Sequence, residues 1–371
     1  MRVVSAFPAF HVVFLTRKES KSMRMNAMNT NQRWSIILAG GEGQRTRSMI
    51  EQGLGYHKPK QFCAFVGKRS MLQHTWDRAD QLMLPQQKIT VVTRPFHQEI
   101  WSQFEGRRVG QVLVQPRNCD TAAGIFLPLT YIRAHDPQAT VVLYPSDHFV
   151  FPEEPFIKTV RRAVVAAEHL TDRIILVGVL PTHLELEYGW IVEGRHLGLS
   201  HGAPVHAVNA FLEKPDRVTA QAAMESGALW NTFVLAAKVE TLWKAGWRCA
   251  PCLMERFERL EEHIGSSEEG RVLESIYEGM PKKNFSSDLL QQIPDQVGVV
   301  ELRGVLWSDW GCPERIVETL RVLGKAPAFS LPGLDASRQF PETVDRHCSR
   351  SKITLKVEVT QNRPCLDPST L

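Results

Sequence analysis

From residue 34 onward, short apolar runs alternate with helix-length segments, and this alternation restricts the fold more than any other feature. SIILAG (35–40), KITVVT (88–93), QVLVQ (111–115), TVVLYPSD (140–147) and RIILVGV (173–179) have strand length and are mostly apolar. Between them, SMLQHTWDRADQLM (70–83) and PFIKTVRRAVVAAEHL (155–170) repeat apolar residues at the 3.6-residue period of a helix buried on one side. Strand–helix–strand order implies βαβ units with right-handed crossovers. The expected fold is therefore α/β: a Rossmann-like mixed, mostly parallel sheet with helices on both faces. Ligands in such sheets bind beyond the carboxyl ends of the strands. LAGGEGQR, closing the first run, and YPSDH, closing the fourth, both fall at such ends.

The second half is less regular. YGWIVEG (188–194) and VHAVNAFLEKP (205–215) read as strands, 216–227 as a short helix and LWNTFVLAAK (229–238) as a buried run, with helices to about residue 280. GVVELRGVLWSDWG (298–311) reads as one strand-like run, and Pro313 opens a helix over 313–324. Residues 34–324 form the expected catalytic domain, and 325–371 an irregular C-terminal tail. The first 20 residues carry one early Arg and an apolar stretch, as a signal peptide does. That stretch contains Pro8 and His11, is too short to span a bilayer and precedes no small-residue cleavage pattern. With Met23, Met25 and Met28 just before the first strand, residues 1–33 are expected to be a poorly ordered extension upstream of a later translation start.

Charge adds an exclusion. The net charge is only +4 over 371 residues, with no long block of one sign, so nothing points to a nucleic-acid or membrane partner. Seven cysteines, an odd number scattered along a long chain, make no disulfide framework and point to a reducing cytoplasm. Cys249 and Cys252 form a lone C-x-x-C with no second pair nearby, and Pro251 between them stands where a helix is expected to begin. They read as structural rather than as redox or zinc residues.

LAGGEGQR is not a P-loop, since no G-x-x-x-x-G-K-[ST] occurs, and it is not G-x-G-x-x-G. It does follow a strand, and Gly40, Gly41 and Gly43 would let backbone N–H groups curl around phosphate oxygens, with Leu38 and Ala39 at the strand end. Arg45 adds a planar, permanent cation suited to a phosphate. HKPKQF (57–62) then supplies Lys58 and Lys60 on either side of Pro59.

Taken with motifs farther along, this combination resembles the mannose-1-phosphate guanylyltransferases among the sugar-nucleotide pyrophosphorylases, over roughly residues 34–324. The family's G-G-x-G-x-R reads here as Gly40-Gly41-Glu42-Gly43-Gln44-Arg45, and its P-K-Q-F as Pro59-Lys60-Gln61-Phe62. QPRNCDTAAGI (115–125) is similar to the P-x-x-R-N-T-A segment that approaches base and ribose, and YPSDH (144–148) to P-A-D-H. EYGWI (187–191) resembles G-Y-G-Y-I, FLEKP (211–215) resembles F-x-E-K-P, LWNTFVL (229–235) resembles W-N-S-G-M-F, and WSDWG (307–311) resembles W-S-D-x-G.

The resemblance implies a nucleotide-diphospho-sugar transferase fold and an enzyme that makes GDP-mannose from GTP and mannose 1-phosphate, releasing pyrophosphate. Leu38, Ala39, Gly40, Gly41, Gly43, Gln61, Asn118 and Thr121 would bind the nucleotide, with Arg45 and Lys60 as catalytic cations on the triphosphate. Gly189, Glu213, Lys214 and Asn231 would bind the sugar phosphate, and Asp147 and Asp309 would meet at one Mg²⁺. The residue types suit the chemistry. A sugar phosphate is already largely ionised near neutral pH, its second pKa being about 6, so attack on the α-phosphorus needs no general base. Charge neutralisation and alignment are what a site must supply, and Mg²⁺ favours carboxylate, water and phosphate oxygens. His148 reads as a structural histidine, and Trp307 and Trp310 as packing residues.

The chain departs from the family pattern in places. Gln44, Thr46 and Arg47 replace part of G-T-R-L-x-P, Cys119-Asp120 stands in the nucleotide segment, Ala123 replaces a Pro, and Thr232-Phe233 follows Trp230-Asn231. These changes bear on base and sugar recognition. The alternatives are another nucleotide or sugar 1-phosphate, or a non-catalytic sugar-nucleotide-binding subunit. A Rossmann dehydrogenase is disfavoured by the absent G-x-G-x-x-G. The sequence stops short of the isomerase domain fused to longer family members, so no isomerase activity is expected. A homo-oligomer is compatible with the sequence.

Overall fold

The computed structural model describes residues 32–325, 327 and 329–331. The expected extension over 1–33 and tail over 325–371 lie almost wholly outside the described residues. The first half runs β1 (Arg33–Leu38), α1 (Arg47–Leu54), α2 (Met71–Asp80), β2 (Lys88–Thr93), α3 (His97–Ser102), β3 (Gln111–Gln115), α4 (Asp120–His135) and β4 (Thr140–Pro145). Its strands pair in parallel in the order β3-β2-β1-β4. The chain steps outward from β1 to β2 and β3, then returns to lay β4 on the other side of β1. That reversal is a topological switch point, and it leaves a crevice outside the carboxyl ends of β1 and β4.

The chain continues through β5 (Phe149–Phe151), α5 (Glu153–His169), β6 (Ile174–Val179), β7 (Gly189–Ser200), β8 (Ala203–Glu213), α6 (Arg217–Glu225) and β9 (Leu229–Lys238). Helices α7 (Val239–Cys249), α8 (Pro251–Glu261), α9 (Glu269–Tyr277) and α10 (Phe285–Asp288) precede β10 (Val297–Leu302), β11 (Leu306–Ser308) and α11 (Pro313–Leu323). β9 lies antiparallel between β4 and β6, β10 pairs in parallel with β6, and β8 and β7 complete a nine-stranded mixed sheet. β7 runs past the expected strand because His201 and Gly202, with φ of 46° and 74°, provide the left-handed pair that a tight hairpin needs.

The single run expected over 298–311 is two strands. Gly304, at φ 72°, turns the chain, so β10 stays in the large sheet while β11 pairs with β5 in a separate ribbon. Ser308–Gly311 thereby comes back to the segment that follows β4.

Helices cover both faces, as the strands require. Ile36 packs in one core with Phe126 of α4 and Phe257 of α8, whereas the adjacent Ile37 packs in another with Trp76 of α2 and Val160 of α5. Helix α4 is buried nearly all round, against the sheet and against α7 and α8, so it shows no one-sided apolar period. A smaller third core joins α1, α11, Phe65, Trp310 and Leu331. No helix among the described residues is long and apolar enough to cross a membrane.

Candidate functional site

The glycine loop leaves β1 at the switch point. Ala39 N–H donates to the Val91 carbonyl at 2.8 Å, and the Leu38 carbonyl accepts from the Ser146 N–H (3.1 Å) and hydroxyl (2.6 Å). The strand end is thus tied to β2 and to the segment following β4. Gln61 Nε2 donates to the carbonyls of Ala39 (2.8 Å) and Gly41 (2.7 Å). Gln61 is buried, so it braces the loop from behind, a different task from the nucleotide contact expected of it. Among the described residues a Cβ on Gly41 would meet nothing within 4 Å. Gly43 has φ 63°, and a Cβ there would lie 3.3 Å from the Lys60 backbone nitrogen.

Lys60 is the hub of the arrangement. Its side chain is 6% exposed, and Nζ donates to the carbonyls of Asp309 (2.6 Å) and Trp310 (3.0 Å) and pairs with Asp147 Oδ2 at 3.1 Å. Every ammonium proton has a protein acceptor. Lys60 therefore ties the segment after β4 to the turn after β11, whereas its motif suggested a hold on the triphosphate. Burial pushes the Asp147 carboxyl up, but Lys60 and His148 outweigh it and leave it below its ordinary range. His148 packs edge-on against Trp307, ring centroids 5.4 Å apart, with Nε2 3.7 Å from Asp147 Oδ1. Burial lowers its pKa, which suits a neutral structural histidine.

The two oxygens of Asp309 have different surroundings. Oδ1 accepts from the Gly311 N–H (2.7 Å) and the Tyr188 hydroxyl (2.9 Å) and lies 3.0 Å from the Arg315 guanidinium. Oδ2 faces Arg45 at 3.9 Å. Arg45 is half exposed and also lies 3.3 Å from Glu187. Neither Tyr188 nor Arg315 stands out in the sequence: one is an aromatic inside a motif, the other a charged residue on an amphipathic helix.

Three of the residues expected at the sugar converge. A Cβ on Gly189 would lie 2.9 Å from Glu213 Oε2 and 3.4 Å from Asn231 Cβ. Burial pushes the Glu213 carboxyl pKa up. Lys214 is exposed, at φ 45°, and its N–H donates to the Tyr188 carbonyl at 3.3 Å. Tyr188 thus connects this cluster to Asp309. On the other side, the Thr121 hydroxyl accepts from Phe285 N–H (2.8 Å) and Asn118 Oδ1 from Asp120 N–H (3.0 Å), contacts that shape the entry to α4. Gln115, at the end of β3, places Oε1 3.3 Å from where a Gly40 Cβ would be and donates to the Tyr277 hydroxyl at 3.0 Å.

Among the described residues no group of three or more His, Cys, Asp and Glu is arranged to hold a metal. Asp147 and Asp309 nonetheless supply two hard oxygen donors, with Asp309 Oδ2 facing Arg45 at 3.9 Å. That donor set fits Mg²⁺, which commonly takes one or two carboxylates and completes its shell with water and phosphate oxygens.

The nucleotidyl transferase family profile matches residues 34–324. The chain is similar to the xanthan biosynthesis protein XanB of Xanthomonas campestris pv. campestris (strain B100), 27% identical over 282 residues, covering 74% of this chain and 57% of XanB. It is also similar to a mannose-1-phosphate guanylyltransferase of Escherichia coli, 25% identical over 283 residues, covering 74% of this chain and 59% of that protein. Among solved structures, a Thermus thermophilus protein described as a mannose-1-phosphate geranyltransferase superposes with a TM-score of 0.64 at 26% identity, covering 76% of each chain. The chain spans between 57% and 59% of the length of these two curated relatives.

Proposed function

The chain belongs to the nucleotidyl transferase family, and on that premise we propose that it makes GDP-mannose from GTP and mannose 1-phosphate with release of pyrophosphate. One observation carries this reading: Tyr188 joins Asp309, beside the glycine loop and Arg45, to the Gly189–Glu213–Asn231 cluster. A place for a triphosphate and a place for a sugar phosphate thereby share one wall. The guanylyltransferases among the relatives support GTP and mannose as the pair.

In this reading a phosphate oxygen of the sugar phosphate attacks the α-phosphorus in line and pyrophosphate departs. The attacking oxygen carries no proton to remove near neutral pH, its pKa being about 6, so alignment and charge are the protein's contribution. Loop N–H groups and Arg45 receive the triphosphate, Lys214 takes the sugar phosphate, and Glu213 accepts from sugar hydroxyls. Lys60 holds the segments bearing Asp147 and Asp309 in place, so little rearrangement accompanies the reaction. Asp147 and Asp309 would hold Mg²⁺, which neutralises phosphate charge when bound.

A pyrophosphate-release screen tests the assignment, pairing GTP, ATP, UTP and dTTP with mannose, glucose, fucose and heptose 1-phosphates. GTP with mannose 1-phosphate is expected to give a kcat/KM about tenfold or more above any other pair. A preference for UTP or dTTP with glucose 1-phosphate would overturn the substrates, and no release from any pair would overturn the catalytic reading.

Gly311→Ala tests the crowding at Asp309. A Cβ there would fall 2.5 Å from Asp309 Oδ2 and 2.8 Å from Arg45 Nη2, so one of them must move. The expected outcome is a kcat about tenfold lower or worse, with stability changed by about 1 kcal/mol or less. Pyrophosphate release and thermal unfolding read the two effects separately, and an unchanged kcat would remove the Asp309–Arg45 spacing from the mechanism.

A further inference from the structure

Asp309 lies in the turn after β11, and its side chain is only 16% exposed. The partners of its Oδ1 differ in origin. Gly311 N–H is a local partner two residues on, available to any aspartate in such a turn. The Tyr188 hydroxyl and the Arg315 guanidinium come from distant elements, the approach to β7 and the first turn of α11. The Gly311 N–H and the Tyr188 hydroxyl donate to Oδ1, and Arg315 Nη1 stands against it as an ion pair at 3.0 Å without hydrogen-bond geometry. Oδ2 is left on the side where Arg45 and the glycine loop stand.

Arg315 is built into its place. Its side chain is 13% exposed, Nη1 lies 3.0 Å from Asp309 Oδ1 and 3.4 Å from Glu185 Oε2, and Nε donates to Cys312 Sγ at 3.3 Å. The guanidinium carbon sits 4.8 Å from the centre of the Tyr188 ring, over its face. A planar cation stacked on an aromatic while reaching two carboxylates matches the shape of arginine and not that of lysine. Helix stability does not explain the placement. Arg315 is the third residue of α11, where the positive end of the helix dipole disfavours a cation. The Asp309 carboxylate explains it.

We infer that Arg315 is a positioning residue for nucleotidyl transfer: with Tyr188 it pins one oxygen of Asp309 and presents the other to the phosphate side of the site. This rests on the reading above in which Asp309 serves the transferred phosphate. Arg315 touches no reacting atom in this account. Its effect passes through the rotamer of Asp309, and a site held loosely by a few tenths of an ångström loses rate before it loses substrate affinity.

The test uses the full chain carrying Arg315→Met, Arg315→Lys or Tyr188→Phe, with Asp309→Asn as the reference variant. Circular dichroism and thermal unfolding report folding, pyrophosphate release gives kcat and KM, and loss of the free Mn²⁺ paramagnetic resonance signal measures metal binding without any turnover. Arg315→Met is expected to lower kcat about 30-fold or more, with KM for both substrates within about threefold. Mn²⁺ binding is expected to weaken by about fivefold or more, as when an outer-shell partner of a metal ligand is removed. Arg315→Lys should recover part of kcat by keeping the charge, and Tyr188→Phe should lose about three- to tenfold, because Arg315 and Gly311 remain on Oδ1.

A folded Arg315→Met protein with kcat within about twofold of the parent, or with unchanged Mn²⁺ binding, overturns the inference. Should that variant not fold, unchanged kcat in both Arg315→Lys and Tyr188→Phe overturns it instead. Asp309→Asn separates this failure from a failure of the proposed function. Near-normal turnover in Asp309→Asn removes Asp309 from the chemistry altogether, whereas an inactive Asp309→Asn beside a normal Arg315→Met removes Arg315 alone.

Discussion

Replacing Lys60 with methionine is expected to lower kcat/KM about a thousandfold, the largest single-residue effect this site should show. Methionine keeps most of the buried stem and removes the charged head. Asp147 then loses its cation at 3.1 Å, and the carbonyls of Asp309 and Trp310 lose a shared donor. Truncating one partner of a buried ion pair typically costs about 3–5 kcal/mol; Asp147 is 38% exposed here, so about 2–3 kcal/mol is the better figure. Urea unfolding followed by tryptophan fluorescence measures that loss, and pyrophosphate release on the folded fraction measures turnover. The split between kcat and KM decides what Lys60 does. A fall in kcat with KM for GTP little changed identifies an organiser of the two acidic segments. A rise in KM for GTP with kcat preserved would return Lys60 to direct contact with the triphosphate, as its motif suggested.

Much of the framework carrying Lys60 can be read from the sequence, for identifiable reasons. β2 and β3 coincide with KITVVT and QVLVQ because each is a short run of β-branched and apolar residues closed by turn-formers. Ser70 and Gln73 form a capping box, so α2 starts where the pattern starts. Pro251 opens α8, as its place between Cys249 and Cys252 suggested. Helix α4 is harder to read, because it is apolar on all sides and contains Pro128. The break between β10 and β11 depends on one glycine in an otherwise strand-like run.

The site divides along the same line. The glycine loop, Asp147, Glu213 and Asp309 sit in motifs at strand ends, where local sequence carries the signal. Their connections are long-range and leave no local trace. The Lys60 bond to the Asp309 carbonyl spans 249 positions, and the Tyr188 bond to the Asp309 carboxylate spans 121. Arg315 looks like an ordinary solvent-facing charge until α11 is folded against Tyr188. Gln61 belongs to a recognisable motif, yet its amide serves the loop backbone, which only the folded chain reveals.

Asp147→Asn and Asp309→Asn are each expected to lower kcat about a hundredfold or more while the fold survives, and the double variant should be little worse than the more damaged single one. The two aspartates stand 162 positions apart in the chain (309 minus 147), yet both are held through Lys60, one by its carboxylate and the other by its backbone carbonyl. Each amide keeps the shape of the side chain and removes the charge that would meet a divalent cation. Asp147→Asn also leaves the Lys60 ammonium facing a neutral amide, and Asp309→Asn leaves Arg315 with Glu185 as its one remaining carboxylate partner among the described residues. Stability should therefore fall by about 1–3 kcal/mol in each, the usual effect of removing a charged partner from a partly buried hydrogen bond. Residues that act as one unit show non-additive losses, so about a hundredfold for either single and a similar figure for the pair would mark a shared cation site. Losses that multiply, to about ten-thousandfold in the double variant, would mean that the two carboxylates act independently. Near-normal Mg²⁺-dependent turnover in either single variant would exclude that aspartate from metal binding, and Mn²⁺ titration of the same proteins would show which carboxylate still binds.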